Sequence, residues 1–184
     1  GYLMAGHTAS YGTGGSDCYV VKVDNKGRKE WAKAIGGKSD DSAVVIRKAL
    51  DGNYYIAGLT NSFGLSSTSI FIAKLDTSGN TLWDKVYGKF SGNMDAPNDL
   101  KTDTAGHLFM TGGTESYGAG QKDAFIMKLD TNGTYQWFKT YGGAGNEVGK
   151  ALGIRDNGDL WASGFTASKG SGKKDGFLLK TDSS

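Results

Sequence analysis

Three acidic residues recur at one position of a repeating pattern and are the first candidates for chemistry. Asp41, Asp95 and Glu147 each precede a recurring glycine by eleven residues. Placed around the mouth of a channel, such carboxylates could hold a metal ion or act as a pair in glycoside cleavage. They could also cap the start of a strand by accepting backbone N–H bonds. Because an acid and a base need different environments, three near-equivalent acids favour capping over catalysis.

Aromatic residues recur at a second position, in loops rich in glycine, serine and threonine. Tyr11, Phe63 and Tyr117 hold this position in three copies, and Lys169 holds it in the fourth. Rings beside small hydroxyl side chains suit sugars, whose C–H faces stack on aromatic faces while their hydroxyls exchange hydrogen bonds. The alternative is that each ring covers its own loop. The pattern predicts either a ligand-binding surface or a repeated packing contact.

One loop is two residues longer than its counterparts in the other copies. It contains Phe90, Asn93 and the only proline, Pro97. An insertion confined to one copy can shape a contact, although drift in surface loops is more common. We therefore add Phe90 and Asn93 to the candidate ligand-binding residues.

These positions belong to a fourfold repeat. A Thr-x-Ser motif follows a glycine in each copy, and its threonines are separated by 52, 54 and 52 residues: Thr8, Thr60, Thr114 and Thr166. A period of this length is typical of a stacked or radial array of small sheets. We place the repeats at approximately 1–36, 37–88, 89–142 and 143–184, within a single domain.

Each repeat has the pattern of short β-strands. The second repeat contains four runs with apolar periodicity, bounded by Asp-Gly and Asp-x-x-Gly turn signals: 43–49, 53–60, 70–76 and 81–87. We name these runs strands a, b, c and d. No segment has a convincing helical period. The pattern predicts an all-β chain of 14 strands, divided as 3, 4, 4 and 3 among the repeats.

Strands c and d carry residues that recur in nearly every copy. Strand c has an aromatic residue, a lysine three positions later and an aspartate two further on, and strand d has Trp31, Trp83 or Trp137 followed by x-Lys. A residue needed in every copy usually serves packing or a turn. We expect the lysine stems to lie along aromatic rings and the turn glycines to adopt a positive φ.

The complete pattern resembles that of a known family of repeats. It runs Ala-Gly-x-Thr-x-Ser, then Asp-x-Phe-x-x-Lys-x-Asp-x-x-Gly, then Trp-x-Lys-x-Tyr-Gly-Gly, and it is similar to the secreted bacterial and archaeal β-propeller repeats of the SBBP type. It is more distantly similar to quinoprotein-like propellers. The resemblance implies a β-propeller of four-stranded antiparallel blades in an extracellular or cell-surface protein. It implies no catalytic residue, and we carry over no cofactor.

The strand count bears on how such a ring closes. Propellers close by sharing a blade between their termini, whereas this chain begins at strand b and stops after strand c, with about 3.5 blades. We expect further blades or a second chain to complete the ring. The N-terminal residues lack the charged start of a signal peptide, so we expect a mature product or a fragment.

Composition excludes several classes of partner. The 21 basic and 19 acidic residues nearly cancel, which gives no electrostatic case for nucleic acid or anionic membrane. No stretch is apolar enough to cross a bilayer, and a single cysteine, Cys18, excludes an intrachain disulfide. The two histidines occupy different repeat positions, which disfavours a histidine-based metal site.

Three functions remain open. The favoured hypothesis is a non-catalytic extracellular scaffold or adhesion module that binds a glycan or protein ligand through its b-to-c and d-to-a loops. The second is a hydrolase or lyase that uses the recurring acids. The third is a structural repeat that assembles with itself.

Overall fold

The computed structural model describes residues 1–63, 68–88 and 94–182. These residues form fourteen β-strands and no helix, in four antiparallel sheets whose strands lie side by side in chain order. The first sheet contains β1 (Tyr2–Thr8), β2 (Asp17–Val23) and β3 (Lys29–Ile35). The second contains β4 (Asp41–Lys48), β5 (Tyr54–Thr60), β6 (Ser69–Leu75) and β7 (Thr81–Tyr87). The third contains β8 (Asp95–Thr102), β9 (Leu108–Thr114), β10 (Asp123–Leu129) and β11 (Tyr135–Tyr141). The fourth contains β12 (Glu147–Ile154), β13 (Leu160–Thr166) and β14 (Asp175–Thr181).

The predicted all-β class and strand distribution are confirmed. The four sheets contain 3, 4, 4 and 3 strands, and strand d of the second repeat, β7, has the predicted bounds. Strand a begins earlier than predicted, because Asp41 already pairs with Thr60 in the β4–β5 ladder. The recurring acids therefore do not lie in the d-to-a loops, as the sequence suggested, but are the first residues of β4, β8 and β12. The radial arrangement of the sheets stays a prediction.

The turns between strands c and d have the expected chemistry. In the second sheet, Asp76 Oδ1 accepts hydrogen bonds from the backbone N–H groups of Ser78 and Asn80, both at 2.8 Å. Gly79 then adopts a φ of +86°, as do its counterparts Gly27 and Gly133 at +77° and +71°. Glycine reaches this region without a Cβ penalty, so the predicted turn is confirmed.

The chain forms two compact units, Gly1–Gly92 and Asn93–Ser184, each built from two sheets. The core of the first unit includes Cys18, Val20, Ile56 and Phe71. The core of the second unit is formed by a corresponding set of side chains: Phe109, Ile126, Leu152, Leu160 and Ala162. Each unit thus buries apolar side chains between its own sheets.

Polar contacts also join the two sheets of each unit. In the first unit, Trp31 of β3 donates a hydrogen bond from Nε1 to the Thr77 carbonyl, at 3.0 Å, in the β6–β7 turn. In the second unit, the Leu152 amide of β12 donates to Asp99 Oδ2 of β8 at 3.0 Å. The sheets are therefore held in register by directional bonds as well as by apolar packing.

The recurring lysines lie over aromatic rings, as predicted. The ammonium groups of Lys74 and Lys128 on strand c are 5.1 and 5.3 Å from the ring centres of Tyr55 and Phe109 on the neighbouring strand b. On strand d, Lys139 lies 5.0 Å from the ring of Trp137. These contacts add cation–π attraction to the apolar cover that the lysine stems give the rings. No helix in the described part of the chain is long and apolar enough to cross a membrane.

Candidate functional site

Glu147, at the start of β12, is the centre of a dense hydrogen-bond network. Its side chain is only 3% exposed. Oε2 accepts a bond from the Gly143 amide at 2.7 Å, and Oε1 accepts from the Thr166 hydroxyl at 2.9 Å. Oε1 also accepts from the amides of Ala167 and Ser168, at 3.1 and 3.0 Å. One carboxylate therefore joins the loops before β12 and after β13.

The other two recurring acids make related contacts. Asp41 Oδ2 accepts from the Gly37 amide at 2.8 Å and from the Ser62 hydroxyl at 2.5 Å. Asp95 Oδ1 accepts from the Thr114 hydroxyl at 2.6 Å and from the Ser116 amide at 3.3 Å. The acids thus bind backbone and hydroxyl donors, which is the capping role that the sequence favoured.

The Thr-x-Ser motif supplies part of this network. In all four copies, the serine amide donates to the threonine hydroxyl oxygen two residues earlier, at 3.1 or 3.2 Å: Ser10 to Thr8, Ser62 to Thr60, Ser116 to Thr114 and Ser168 to Thr166. In two copies the threonine hydroxyl donates onward to the strand-a acid. The motif therefore ends strand b and connects it to the start of strand a.

A second row of carboxylates lies beside the first, and sequence reasoning missed its importance. Asp17 and Asp123 are the first residues of their c strands and are almost fully buried. A Cβ added to Gly142 would overlap Asp123 Oδ1 and lie 2.7 Å from Glu147 Oε2. In the first unit, a Cβ added to Gly36 would likewise overlap Asp17 Oδ1 and lie 2.7 Å from Asp41 Oδ2. The glycine after strand d thus leaves room for two converging carboxylates.

The electrostatics of these acids differ between the units. Burial raises the pKa of Glu147, but hydrogen bonds from Gly143, Ser168 and Thr166 outweigh it, so this pKa lies below its ordinary value. In the first unit, the buried Oδ1 atoms of Asp17 and Asp41 have no hydrogen-bond partner among the described residues. Burial, together with the charges of Asp41 and Asp17, raises the pKa of the neighbouring Cys18 thiol to about 12.

The acids are not gathered into a metal-binding cluster. Within residues 1–63, 68–88 and 94–182, no group of three or more histidine, cysteine, aspartate or glutamate side chains is arranged to hold a metal ion. The Asp17–Asp41 pair offers two unpaired oxygens, whereas Ca²⁺ takes six to eight oxygen ligands. The proposed metal role of Asp41, Asp95 and Glu147 stays a prediction.

The loop aromatics pack on their own sheets. Tyr11 stacks on Tyr19 of β2, with ring centres 5.8 Å apart and planes inclined by 8°, and Phe63 stacks on Phe71 of β6 at 6.1 Å and 21°. Tyr11 nevertheless remains 65% exposed and Phe63 40% exposed. The rings thus cover the strand-c aromatics and still present surface to solvent.

The remaining predicted site residues are arranged differently. Tyr117 lies 4.9 Å from the ring of Phe138 on β11, and Phe138 in turn stacks on Phe125 of β10 at 4.9 Å. Burial, followed by the charge of Asp95, raises the pKa of Tyr117. Phe90 and Asn93 lie outside the described residues. The three described rings, Tyr11, Phe63 and Tyr117, therefore belong to three different sheets.

Each unit contains a cavity that sequence reasoning did not locate. In the second unit, a cavity of about 280 Å³ is lined by residues of β11 to β14 and of two loops between them: Tyr141, Gly142, Glu147, Thr166, Ser168, Lys169, Phe177, Leu178 and Leu179. In the first unit, a more polar depression of about 410 Å³ lies beside β1 and is lined in part by Lys22, Glu30 and Arg47. The sign of the second unit's cavity in the sequence was Lys169, which stands where the other three repeats have an aromatic residue.

Comparisons with known proteins add little to these observations. No protein-family model matches the chain, and no curated protein matches it. Among solved structures, the chain is similar to a protein of unknown function from Bacteroides caccae, with 12% sequence identity and a TM-score of 0.45. The similarity covers 91% of this chain and 73% of the other.

Proposed function

We propose that this chain is a non-catalytic, extracellular binding scaffold whose sheets are the blades of a β-propeller. Within each unit, strand a of the second sheet packs on the inner strands of the first: β4 on β1, and β12 on β8 and β9. Neighbouring propeller blades pack their sheets face to face around an axis in a comparable way. The repeat pattern and its resemblance to secreted propeller repeats support the same proposal.

The hydrogen bonds that the recurring acids accept are the main support for a non-catalytic role. Glu147 is buried and accepts four hydrogen bonds that hold two loops together. Asp41 and Asp95 accept the related bonds in their own sheets. A general acid or nucleophile needs a lone pair or proton directed at substrate. A carboxylate whose two oxygens are both occupied by loop donors, as in Glu147, suits an anchor better than a hydrolase or lyase.

The ligand surface in this proposal is the set of b-to-c loops, with Tyr11 as its most exposed ring. Tyr19 supports one face of Tyr11, so the ring is held in a fixed orientation at low entropic cost. Glycine, serine and threonine surround it in the loop. A rigid exposed ring beside hydroxyl groups is suited to stacking on a sugar.

A glycan array tests this assignment. We expect the chain to bind at least one class of glycan, and Tyr11→Ala to weaken that binding by about two- to tenfold through loss of one stacking contact. Leu50→Ala is the matched control, because Leu50 is 68% exposed but lies in the turn between β4 and β5, at the end of the second sheet that is opposite to its b-to-c loop. Absence of glycan binding, or equal binding by both variants, would contradict the assignment.

Self-assembly is a second candidate function, favoured by one observation on β14. Leu178 is 68% exposed, whereas the residues at the same repeat position in the other three sheets are 0 to 1% exposed: Val20, Ile72 and Ile126. An exposed strand edge is a template for pairing with another strand. Light scattering would then give a mass above that of one chain, reduced by Leu178→Lys and unchanged by Leu50→Lys. A monomer in solution would contradict self-assembly.

A further inference from the structure

The cavity beside β14 corresponds to a position that an aromatic ring fills elsewhere in the chain. Lys169 occupies the repeat position of Tyr11 and Phe63, and Phe177 occupies that of Tyr19 and Phe71. In the first two sheets, the loop ring stacks directly on the strand-c ring. In the fourth sheet the loop carries a lysine, and both Lys169 and Phe177 line the cavity.

The third sheet fills the same position by another route. There Tyr117 contacts Phe138, and Phe138 stacks on Phe125, the counterpart of Phe177. Two arrangements thus place a ring against the strand-c aromatic in three of the sheets, while the fourth sheet leaves about 280 Å³ open. A cavity of about 150 Å³ lined by apolar side chains is sufficient to bind benzene, so this one has room for a one- or two-ring system.

The charges around the cavity favour a negative substituent on that ring. Three lysines lie in the loop between β13 and β14, all of them exposed: Lys169, Lys173 and Lys174. Glu147 is the one carboxylate in the wall, and four donors offset its charge. Asp123 lies directly behind this wall, where it converges with Glu147 at Gly142, so an anionic group is favoured only at the loop side of the cavity, where it would meet the Lys169 ammonium.

We propose that this cavity is a binding site for an aromatic group that carries a negative charge. The ring stacks on Phe177 in the place that a loop ring takes in the first two sheets, and the anionic substituent lies at Lys169. Lys169 lies in the b-to-c loop of the fourth repeat and Tyr11 in that of the first, so occupation of this cavity does not depend on glycan binding at Tyr11.

Two probes with the same ring and opposite charges test the proposal: indole-3-acetate and tryptamine. Titration of each into the ¹⁵N-labelled chain, at a concentration where light scattering gives a monomer, is followed by amide chemical shifts. We expect indole-3-acetate to bind more tightly than tryptamine, with shifts centred on residues 166–169 and 177–179. Tighter binding of tryptamine, or shifts centred elsewhere, would overturn the assignment.

A pair of substitutions in the same loop separates the cavity from general surface charge. Lys169→Tyr installs the residue found at this position in the first and third repeats, and we expect it to fill the cavity and weaken indole-3-acetate binding by at least about tenfold. Lys173→Tyr makes the same chemical change at an exposed residue that does not line the cavity, and we expect binding within about twofold of the unaltered chain.

A third variant separates the charge from the cavity volume. Lys169→Met removes the ammonium but keeps an unbranched side chain, so we expect indole-3-acetate binding to weaken about two- to fivefold while tryptamine binding does not weaken. Thermal melting verifies that each variant is folded. Equal binding by Lys169→Tyr and Lys173→Tyr would refute the site, and an unchanged preference for indole-3-acetate in Lys169→Met would refute the role of Lys169.

Discussion

Replacement of Glu147 by glutamine tests whether the recurring acids are structural anchors. The side chain keeps its shape but exchanges one oxygen for an NH₂ group. Placed toward Gly143, that group opposes an N–H donor, and placed toward Thr166 it opposes three donors. The less costly orientation loses one charge-assisted bond and leaves one donor facing another, which costs about 2–4 kcal/mol of the free energy of unfolding.

Urea denaturation followed by tryptophan fluorescence measures this loss. Asp156→Asn is the matched control, because Asp156 is exposed in the turn between β12 and β13 and undergoes the same chemical change. We expect its free energy of unfolding to change by no more than about 0.5 kcal/mol. If Glu147→Gln were as stable as Asp156→Asn at pH 7, the anchoring role of Glu147 would be refuted.

The pH dependence of the same measurement gives a second check. The pKa of Glu147 is lowered in the folded chain, so its carboxylate stabilises the fold above the ordinary glutamate pKa of about 4.3. That stabilisation is lost as the pH falls through the lower folded-state pKa. The difference in unfolding free energy between the unaltered chain and Glu147→Gln should therefore shrink on acidification from pH 7 to about pH 3. A difference that stayed constant over this range would contradict the argument.

Three further predictions concern other parts of the two units. Gly142→Ala places a Cβ against Asp123 and Glu147 and should lower the free energy of unfolding, measured in urea, by about 3 kcal/mol. Gly153→Ala is the control, because its Cβ meets nothing closer than 3.9 Å, and it should cost less than about 0.5 kcal/mol. Equal costs would contradict the close approach at Gly142. Cys18 should not react with Ellman's reagent at pH 8 until the chain unfolds, because its thiol is buried and its pKa is about 12; rapid reaction in buffer would count against this environment. Trp31→Phe removes the hydrogen bond to the Thr77 carbonyl and should lower the free energy of unfolding by about 1 kcal/mol more than Trp137→Phe. Trp137 is the control because its indole nitrogen has no acceptor in the described part of the chain. The reverse order of stability would refute the contribution of this bond.

Local patterns predicted the strands and turns well, because both depend on residues close together in sequence. The Asp-x-x-Gly turns are an example, since the carboxylate of Asp76 binds amides within four residues and Gly79 supplies the positive φ. The lysines over rings were also predictable, because three of the four repeats pair the strand-c lysine with an aromatic residue on strand b.

The arrangement of the acids could be predicted only in part. The sequence favoured capping for Asp41, Asp95 and Glu147, but it placed them in loops and gave no sign that Asp17 or Asp123 lies beside them. That proximity depends on strand c of one sheet and strand a of the next, which meet only after the sheets have packed. The cavity beside Phe177 has the same origin, because an empty volume is a property of the packed sheets and not of any one repeat.

Amide hydrogen exchange of the loop residues that bind the recurring acids tests the central claim most directly. Gly37, Gly143, Ala167 and Ser168 lie outside the strands, yet their N–H groups bind Asp41 or Glu147. We expect each amide to exchange at least about a hundredfold more slowly than in an unstructured peptide. In Glu147→Gln, protection should fall at Gly143, which then faces the NH₂ group, but persist at Gly37. Exchange of all four amides at unstructured rates in the unaltered chain would contradict the claim that these acids hold the repeats together.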